Sequence, residues 1–343
     1  MKEILLAENS GFCFGVKQAM EKTEKEIEKK QRYETAGALY TWGPLIHNQT
    51  VTDALRAQGV RIAENLDEVT AEDTLIVRSH GEARAFFEEA DRRGIHVVDA
   101  TCPFVKKIHD LVEEAYGKGY RIIILGDAQH PEVRGINGWC ENSALVVPTA
   151  EAAREIKEDK LFVVCQTTIR RELLDEVSAV LRSEGKQAEI HNTICGATTL
   201  RQNSCMKLAK ICDCFIVIGG KNSSNTQKLA EIAKKTCKKV YFVEKIEDLP
   251  LHKIAKYNKI GVAAGASTPE CVIKEVIATM SENITEMNMM DLMDDIEKSL
   301  RLPRIGETVN GKVHQVTDKE IIVNMGCKKD GVIPKEEVTL EGD

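Results

Sequence analysis

The chain has 343 residues, of which 43% are hydrophobic and 29% are charged, with 23 Gly and 8 Pro. This composition excludes a disordered, collagen-like or disulfide-stapled chain, and the length is that of about two domains of roughly 150 residues each. The formal net charge of −7 excludes a general electrostatic attraction of the whole chain for nucleic acid or anionic membranes.

Short apolar runs rich in β-branched residues recur along the chain and alternate with helical patterns. Such runs, about four to six residues long, are typical of buried parallel strands. The predicted strands are, in chain order, Glu3–Ala7, Thr74–Arg78, His96–Asp99, Arg121–Leu125, Ala144–Val147, Leu161–Cys165, Cys214–Ile218, Lys239–Val243 and Ile260–Ala264. Helical patterns include residues 104–117, 226–235 and 269–281. This alternation predicts an α/β fold.

Three cysteines divide the α/β region into comparable lengths. Cys13, Cys102 and Cys195 are separated by 89 and 93 residues, and each follows a predicted strand and precedes a helical pattern. The spacing predicts three similar α/β units at residues 1–100, 101–193 and 194–282. Each unit would deliver one cysteine from the end of a strand.

The pattern changes after these units. Residues 283–302 carry a Met-rich apolar stripe at helical spacing, which predicts a linker helix with a docking face. Residues 303–343 have the pattern of a β meander.

Neither a membrane span nor a signal peptide is predicted. The longest segment without a charge, residues 35–52, is rich in polar side chains, and Glu3 and Glu8 interrupt the apolar N-terminal run. The sequence therefore predicts a cytoplasmic protein that does not contact a membrane.

The cysteine content indicates a metal centre rather than disulfides. Eleven cysteines without regular spacing do not form a disulfide framework, and most are expected to be small buried hydrophobes. The three that follow strands could hold zinc, with a histidine or an open fourth position. They could equally hold a 4Fe–4S cluster that leaves one iron free for substrate. Spacing alone leaves both alternatives open.

Polar side chains follow several predicted strands, where parallel sheets gather ligands and helix N-termini favour anions. Together these turns could bind a diphosphate through imidazole, hydroxyl and backbone donors rather than through Lys or Arg. The candidates are His47, Ser79, His80, His130, Glu132, Thr167, Thr168, Ser223, Ser224, Asn225, Ser267 and Thr268.

Nine motifs resemble, in order, those of the 4-hydroxy-3-methylbut-2-enyl diphosphate reductase family, the last enzymes of the methylerythritol phosphate route to isoprenoids. The resemblance covers residues 1–282. The motifs are GFCFGV, GPLIHN, RSHG, DATCPFVKKIH, GDAQHPEVRGINGW, CQTT, ICGATTLRQ, GGKNSSNT and AGASTP.

This resemblance implies a fold, a cofactor and a reaction. The fold would be a pseudo-three-fold trefoil of α/β units around a central cavity. Cys13, Cys102 and Cys195 would hold one 4Fe–4S cluster, whose fourth iron is open to substrate. The reaction would be the reductive dehydroxylation of (E)-4-hydroxy-3-methylbut-2-enyl diphosphate to isopentenyl diphosphate and dimethylallyl diphosphate. Reduced ferredoxin or flavodoxin would supply the electrons.

The resemblance also implies roles for the polar side chains. His130, Thr167 and Glu132 would lie near the substrate hydroxyl, with Glu132 as the proton donor. The diphosphate would be held by His47, His80, Ser223, Ser224, Asn225 and Ser267.

Residues 303–343 resemble the start of an OB-type RNA-binding repeat of the ribosomal-protein kind. About three of the five strands of such a barrel fit this length. The segment has six basic and eight acidic residues and no Phe, Tyr or Trp for base stacking. RNA is therefore a partner expected only of a longer chain with complete repeats.

Two other functions remain as alternatives at this point. One is an RNA-associated protein whose α/β body is a structural or redox-sensing platform. The other is a zinc enzyme that uses the same ligands.

Overall fold

The computed structural model describes residues 2–33, 36–283, 305–317, 319–325 and 331–338. The chain divides into two compact units, Met1–Ala278 and Thr279–Asp343. Within the described residues, no helix combines the length and the apolar character needed to cross a membrane.

The first unit alternates short strands with helices, as predicted. Its strands are β1 (Glu3–Leu6), β2 (Leu39–Trp42), β3 (Val60–Ala63), β4 (Thr74–Val77), β5 (His96–Asp99), β6 (Arg121–Leu125), β7 (Leu145–Val147), β8 (Lys160–Cys165), β9 (Gln187–Ile190), β10 (Cys214–Ile218), β11 (Val240–Val243) and β12 (Lys259–Ala264). The helices are α1 (Phe14–Tyr33), α2 (Gln49–Ala57), α3 (Arg84–Arg92), α4 (Pro103–Gly117), α5 (Pro131–Asn137), α6 (Ala150–Ala153), α7 (Arg171–Ser183), α8 (Gly196–Ala209), α9 (Ser224–Thr236) and α10 (Leu251–Ile254). A further helix, α11 (270–283), includes residues on both sides of the boundary between the units.

The strands of this unit form three parallel four-stranded sheets with equivalent strand orders. These orders are β5-β4-β2-β3, β9-β8-β6-β7 and β1-β12-β10-β11. In each sheet the first strand named ends a few residues before one of the three spaced cysteines. The pseudo-three-fold α/β architecture predicted from the sequence is therefore confirmed.

The first strand belongs to a different sheet from the one its sequence position predicts. Within the predicted unit 1–100 it would pair with β2 to β5, but it pairs with β12, with Glu3 opposite Lys259 and Leu6 opposite Val262. Chain order is only a partial guide to strand neighbours. The third sheet therefore combines the beginning and the end of the α/β region, and the unit boundaries at residues 1–100, 101–193 and 194–282 stay predictions.

Three strands were not predicted, because their sequences lack a continuous apolar run. β3 and β9 are edge strands that contain exposed charged side chains, and β2 carries a buried Thr41 between aromatic residues. A buried parallel strand is easier to detect when both of its faces are apolar.

The sheet β9-β8-β6-β7 shows how both faces are covered. Ile123 and Val163 belong to a cluster that includes Val177 of α7. The neighbouring Ile124 belongs to another cluster, which includes Val112 of α4. Helices on both faces leave the carboxyl ends of the strands as the place where loops carry polar side chains.

The other cysteines of the first unit mostly pack in the core, as expected. Fully or nearly buried thiols are those of Cys140, Cys165, Cys205, Cys214 and Cys237.

The second unit contains an antiparallel sheet of β13 (Lys312–Val316), β14 (Glu320–Asn324) and β15 (Gly331–Pro334). The β meander predicted here is confirmed over these strands. The linker helix predicted at residues 283–302 lies outside the described residues except for residue 283. An RNA-binding role for this unit stays a prediction.

Candidate active site

The three spaced cysteines lie at the N-termini of helices and line one cavity. Cys13 precedes α1, and Cys102 and Cys195 are the N-caps of α4 and α8. All three are partly buried and contribute to the wall of the same cavity. Because a helix N-terminus carries partial positive charge, this position favours the thiolate form that binds metal ions.

A backbone hydrogen bond ties each cysteine to a neighbouring loop. The amide of Cys13 donates to the carbonyl of Ala266 (3.2 Å) and that of Cys102 donates to Ser79 (3.0 Å). The amide of Cys195 donates to the carbonyl of Thr167 (3.0 Å). Each acceptor is, or directly precedes, a residue predicted to bind substrate. The same kind of bond therefore couples each cysteine to a loop that is predicted to bind substrate.

The helices that carry the cysteines approach each other closely. A Cβ atom placed on Gly15 would lie 2.6 Å from the Cys102 sulfur, so only glycine fits where α1 meets α4. The Arg201 guanidinium of α8 donates from Nη2 to the carbonyl of Gly11, at 2.8 Å. These contacts bring the beginnings of all three helices together.

The Cys102 thiol lies in an environment that disfavours a bare thiolate in spite of its position at a helix N-terminus. Its pKa is raised to about 11, mainly by burial and in smaller part by the neighbouring Cys13 and Cys195. Arg201, which is 4% exposed, supplies positive charge beside Cys13 and Cys195. A cationic group that binds all three sulfurs would offset the cost of ionising them.

The spacing of the thiols bears on the kind of metal group that fits. Among the described residues, nitrogen atoms of His47, His80 and His130 lie within 4.8 Å of one another. The three cysteine sulfurs do not all lie within that distance of one another. A single zinc ion, with Zn–S bonds of about 2.3 Å, would hold three sulfurs roughly 3.8 Å apart. The wider spacing favours a group of several metal ions.

Three histidines from loops at the carboxyl ends of strands line the same cavity. His47 follows β2, His80 follows β4 and His130 follows β6. Their ring centroids are 5.0 Å (His47–His80), 5.3 Å (His80–His130) and 6.2 Å (His47–His130) apart. Within the described part of the chain, Nε2 of His47 and Nδ1 of His80 are buried without a hydrogen-bond partner. Unpaired buried polar atoms of this kind indicate a ligand.

These imidazoles are neutral near pH 7. Burial lowers the pKa of His130 to about 4, and burial is also the main cause of the lowered pKa values of His47 and His80. The amide of Glu132 donates to Nδ1 of His130 at 3.2 Å. Since Nδ1 accepts that bond, the neutral ring of His130 carries its hydrogen on Nε2.

Further donors come from the N-terminus of α9 and from the loop after β12. The Ser223 hydroxyl caps α9 and the Ser224 hydroxyl lies 2.9 Å from that of Thr168. Asn225 is 4% exposed, and neither atom of its side-chain amide has a partner among the described residues. The Ser267 hydroxyl donates to the carbonyl of His47 at 3.3 Å. Hydroxyl and amide groups at a helix N-terminus suit an anion.

A buried carboxyl group completes the cavity wall. Oε1 of Glu132 accepts a bond from the Thr167 amide at 2.6 Å, and Oε2 accepts one from the Thr167 hydroxyl at 2.8 Å. Burial raises the pKa of Glu132 to about 7, although both bonds from Thr167 lower it. A carboxyl group with this pKa can donate a proton at neutral pH.

All of the side chains assigned roles from the sequence line this one cavity, although their roles remain predictions. They are Cys13, Cys102, Cys195, His47, His80, His130, Glu132, Thr167, Ser223, Ser224, Asn225 and Ser267.

Known proteins resemble this chain over the same region. Residues 4–281 match the family described as LytB protein. A Clostridium acetobutylicum protein named 4-hydroxy-3-methylbut-2-enyl diphosphate reductase is 40% identical over 353 residues, covering 100% of this chain. A protein of the same name from Caldanaerobacter subterraneus is 44% identical over 278 residues, which cover 80% of this chain and 95% of the relative. The chain belongs to the LytB family.

Solved structures of LytB-type reductases agree in fold. The E-1-hydroxy-2-methyl-but-2-enyl-4-diphosphate reductase of Plasmodium falciparum has a TM-score of 0.76 at 28% identity, covering 81% of this chain and 87% of that one. A structure of (E)-4-hydroxy-3-methyl-but-2-enyl diphosphate reductase has a TM-score of 0.60 at 38% identity, covering 82% of this chain and 100% of that one. This LytB chain spans 54% of the Clostridium acetobutylicum relative, about half of its length.

Two buried guanidinium groups of this LytB protein were not singled out from the sequence. One is Arg201, described above, and the other is Arg78, at the end of β4 in the motif RSHG. The Arg78 side chain is 14% exposed, and its Nη2 lies 4.0 Å from a carboxylate oxygen of Glu82. Its charge contributes to the lowered pKa values of all three cavity histidines. A fixed positive charge therefore lies close enough to the three histidines to disfavour their charged forms.

Proposed function

We propose that this chain removes the hydroxyl group of (E)-4-hydroxy-3-methylbut-2-enyl diphosphate reductively, giving isopentenyl diphosphate and dimethylallyl diphosphate. Two electrons and two protons enter, the C–O bond breaks, and the oxygen leaves as water. The supporting observation is the convergence, in one cavity, of three cysteines, unpaired anion-binding donors and a buried acid of raised pKa. The names of the relatives agree with this reaction.

The proposed cofactor is one 4Fe–4S cluster bound by Cys13, Cys102 and Cys195. The donor set suits it, because three thiols on helix N-termini surround one cavity and are too widely spaced for a single zinc ion. When bound, such a cluster supplies a Lewis-acidic iron for the substrate hydroxyl and passes electrons one at a time.

The diphosphate is held by neutral donors in this proposal. His47, His80 and Asn225 have buried polar atoms without partners among the described residues, so binding an anion costs no existing hydrogen bond. The negative charge favours the imidazolium forms and raises the pKa values that burial lowers. Ser223, Ser224 and Ser267 add hydroxyl donors, and Arg78 supplies charge from behind the histidines.

Glu132 supplies the proton that turns the departing oxygen into water. Its pKa of about 7 keeps a large fraction of the carboxyl protonated at neutral pH. The Thr167 hydroxyl, 2.8 Å away, holds the carboxyl in place, and both residues line the cavity. His130 has its hydrogen on Nε2 and can stabilise the oxygen as a hydrogen-bond donor. Closing bulk water out of the cavity protects these steps from unproductive proton exchange.

Anaerobic purification tests this proposal directly. The expected preparation is brown, contains iron and acid-labile sulfide but no stoichiometric zinc, and converts the diphosphate to both products with dithionite-reduced methyl viologen. A colourless protein with one zinc ion per chain would support the zinc alternative. Conversion without iron would contradict the assignment of the cysteines.

A further inference from the structure

One buried guanidinium group lies beside the cysteines without a carboxylate to balance its charge. Arg201, in the second turn of α8, is 4% exposed and lines the cavity together with Cys13, Cys102 and Cys195. Among the described residues it forms no ion pair with an aspartate or a glutamate. Because arginine stays charged near neutral pH, burying it without a counter-charge is unfavourable.

The hydrogen bonds of this guanidinium hold it in place but do not neutralise it. Nη2 of Arg201 donates to the carbonyl of Gly11 at 2.8 Å, and Nη1 donates to the carbonyl of Ala197 at 3.4 Å. Nε is buried and has no partner in the described part of the chain. Both acceptors are uncharged. The bonds therefore explain how the side chain is oriented, but they do not explain why a charged residue occupies this position.

The charge of Arg201 acts on the cysteine end of the cavity. Burial lowers the pKa of Arg201, whereas Cys13 and Cys195 raise it. The pKa of Glu132 is shifted by burial and by its hydrogen bonds, not by Arg201. The three cavity histidines respond to the charge of Arg78 instead. The two buried arginines thus act on different ends of the site.

We propose that the fixed charge of Arg201 raises the reduction potential of the metal centre held by Cys13, Cys102 and Cys195. This inference rests on the proposed function, because it concerns the 4Fe–4S cluster assigned to these cysteines. Arg201 acts through that group, so it is a positioning residue rather than a catalytic one. An oxidised cluster with three thiolate ligands carries net negative charge. Each reduction adds one electron to it and removes one electron from the reductant.

A buried cation favours the more negative of two redox states, and net charge is one of the properties that set cluster potentials. At an effective dielectric constant of about 20, a unit charge about 10 Å away changes the equilibrium for adding one electron by roughly tenfold or more. The diphosphate brings further negative charge into the same cavity, which opposes reduction. The charge of Arg201 offsets part of that effect.

The test compares two variants that are loaded with the cluster under anaerobic conditions. Arg201→Gln removes the charge and keeps an amide donor, whereas Arg201→Lys keeps the charge and loses the planar group that reaches two carbonyls. The midpoint potential is measured without substrate, by dithionite titration through redox mediators and EPR of the reduced cluster. We expect reduction of Arg201→Gln to be about tenfold less favourable, a shift of about 59 mV to more negative potential for one electron. Arg201→Lys should stay close to the unmodified protein.

The matched control is Arg121→Gln. The Arg121 guanidinium also donates to a backbone carbonyl, that of Ser143 at 2.6 Å, but it lies outside the cavity. Its replacement should leave the potential unchanged. Equal potentials in Arg201→Gln and the unmodified protein would overturn the proposal. An equal negative shift in Arg201→Gln and Arg201→Lys would overturn it as well, because the effect would then come from the lost hydrogen bonds.

Cluster uptake is a second readout if Arg201→Gln binds no iron. A folded, iron-free Arg201→Gln beside an iron-loaded Arg201→Lys would support the role of the charge. Loss of iron or of the circular dichroism of the fold in both variants would assign Arg201 to the structure and overturn the proposal. If the unmodified protein holds the cluster but does not convert the diphosphate, the proposed function fails, while the potentials still test Arg201. Normal conversion with equal potentials would overturn this inference alone.

Discussion

The two ends of the cavity are built from neighbouring loops at the carboxyl ends of the strands but prepare different kinds of binding. At the cysteine end, Cys13, Cys102 and Cys195 are fixed by backbone hydrogen bonds and close helix contacts. At the donor end, His47, His80 and Asn225 are as well buried, but several of their polar atoms have no partner among the described residues. The first arrangement suits a group that stays bound. The second suits a ligand that arrives and leaves, because unpaired donors gain hydrogen bonds only while it is present.

Burial shifts the pKa values of His130 and Glu132 in opposite directions, but both shifts make the side chain less charged. It lowers the pKa of His130 to about 4 and raises that of Glu132 to about 7. Both shifts favour the uncharged form. Apart from Arg78 and Arg201, the site groups thus approach neutrality near pH 7, and the substrate brings the charge.

The largest expected effect is loss of the cysteine end. Cys195→Ser should abolish turnover and remove iron together with visible absorption, because a hydroxyl is a poor ligand for iron compared with a thiolate. Iron and sulfide analysis with an absorption spectrum checks this. The control is Cys271→Ser, since Cys271 is exposed and lies outside the cavity. Full retention of the chromophore in Cys195→Ser would remove this cysteine from the set of ligands.

The second-largest effect distinguishes proton donation from the binding of iron and from the binding of substrate. Glu132→Gln should lower kcat by roughly 10²- to 10⁴-fold while the iron content and the substrate affinity are preserved. Steady-state kinetics and substrate titration measure these quantities. Glu151→Gln, at an exposed carboxyl group, is the control. Near-normal turnover would mean that the proton comes from another group.

The pH dependence of kcat gives a related test. Since Glu132 must be protonated to donate, its pKa of about 7 predicts that kcat falls as the pH rises through about 7. The protonated fraction, and with it the rate, should level off well below that pH. Glu132→Gln should lack this transition. A transition that persists in the variant would belong to another group.

A smaller effect is expected at the donor end. His47→Ala should raise KM roughly ten- to a hundredfold, since a hydrogen bond to a charged group contributes about 1.5–3 kcal/mol. The iron content and the spectrum should stay unchanged, as they should in the control His96→Ala, an exposed histidine. Loss of iron with an unchanged KM would reverse the assignment of the two ends.

The smallest effect concerns a donor that already has a partner. Ser267→Ala should raise KM by about two- to tenfold, because the hydroxyl must first leave the carbonyl of His47 and its net contribution is about 0.5–1.5 kcal/mol. If Ser267→Ala raised KM more than His47→Ala does, the hydrogen bond from Ser267 to the carbonyl of His47 would not weaken the contribution of Ser267 to substrate binding. Ser183→Ala, on the surface, is the control.

Much of the fold and the membership of the site were predictable because they depend on local patterns. β6 and β10 coincide with their predicted bounds, since buried parallel strands read as continuous apolar runs. The three cysteines marked equivalent points of the three sheets. Strands with polar residues, such as β9, lack that signal. The pairing of β1 with β12 is a contact between distant segments, which a local pattern does not contain.

The site residues were identified by type and position, but their electrostatics were not. Nothing in the sequence distinguishes Glu132 from an exposed glutamate at a helix start, and its raised pKa comes from burial within the assembled cavity. Arg78 is the first residue of the motif RSHG, but the sequence does not indicate that it belongs to the site. Its proximity to His47 and His130 comes from the packing of three loops. The hydrogen bonds from the cysteine amides likewise appear only once the sheets are formed.

The pairing of β1 with β12 has a consequence for biosynthesis. Glu3 leaves the ribosome 256 residues before its partner Lys259. At typical elongation rates of 5–20 residues per second, this strand waits roughly 13 to 50 seconds for a partner. During that interval the loop bearing Cys13 has no sheet edge to anchor it, so the three cysteines can come together only after nearly the whole of the α/β unit has been synthesised.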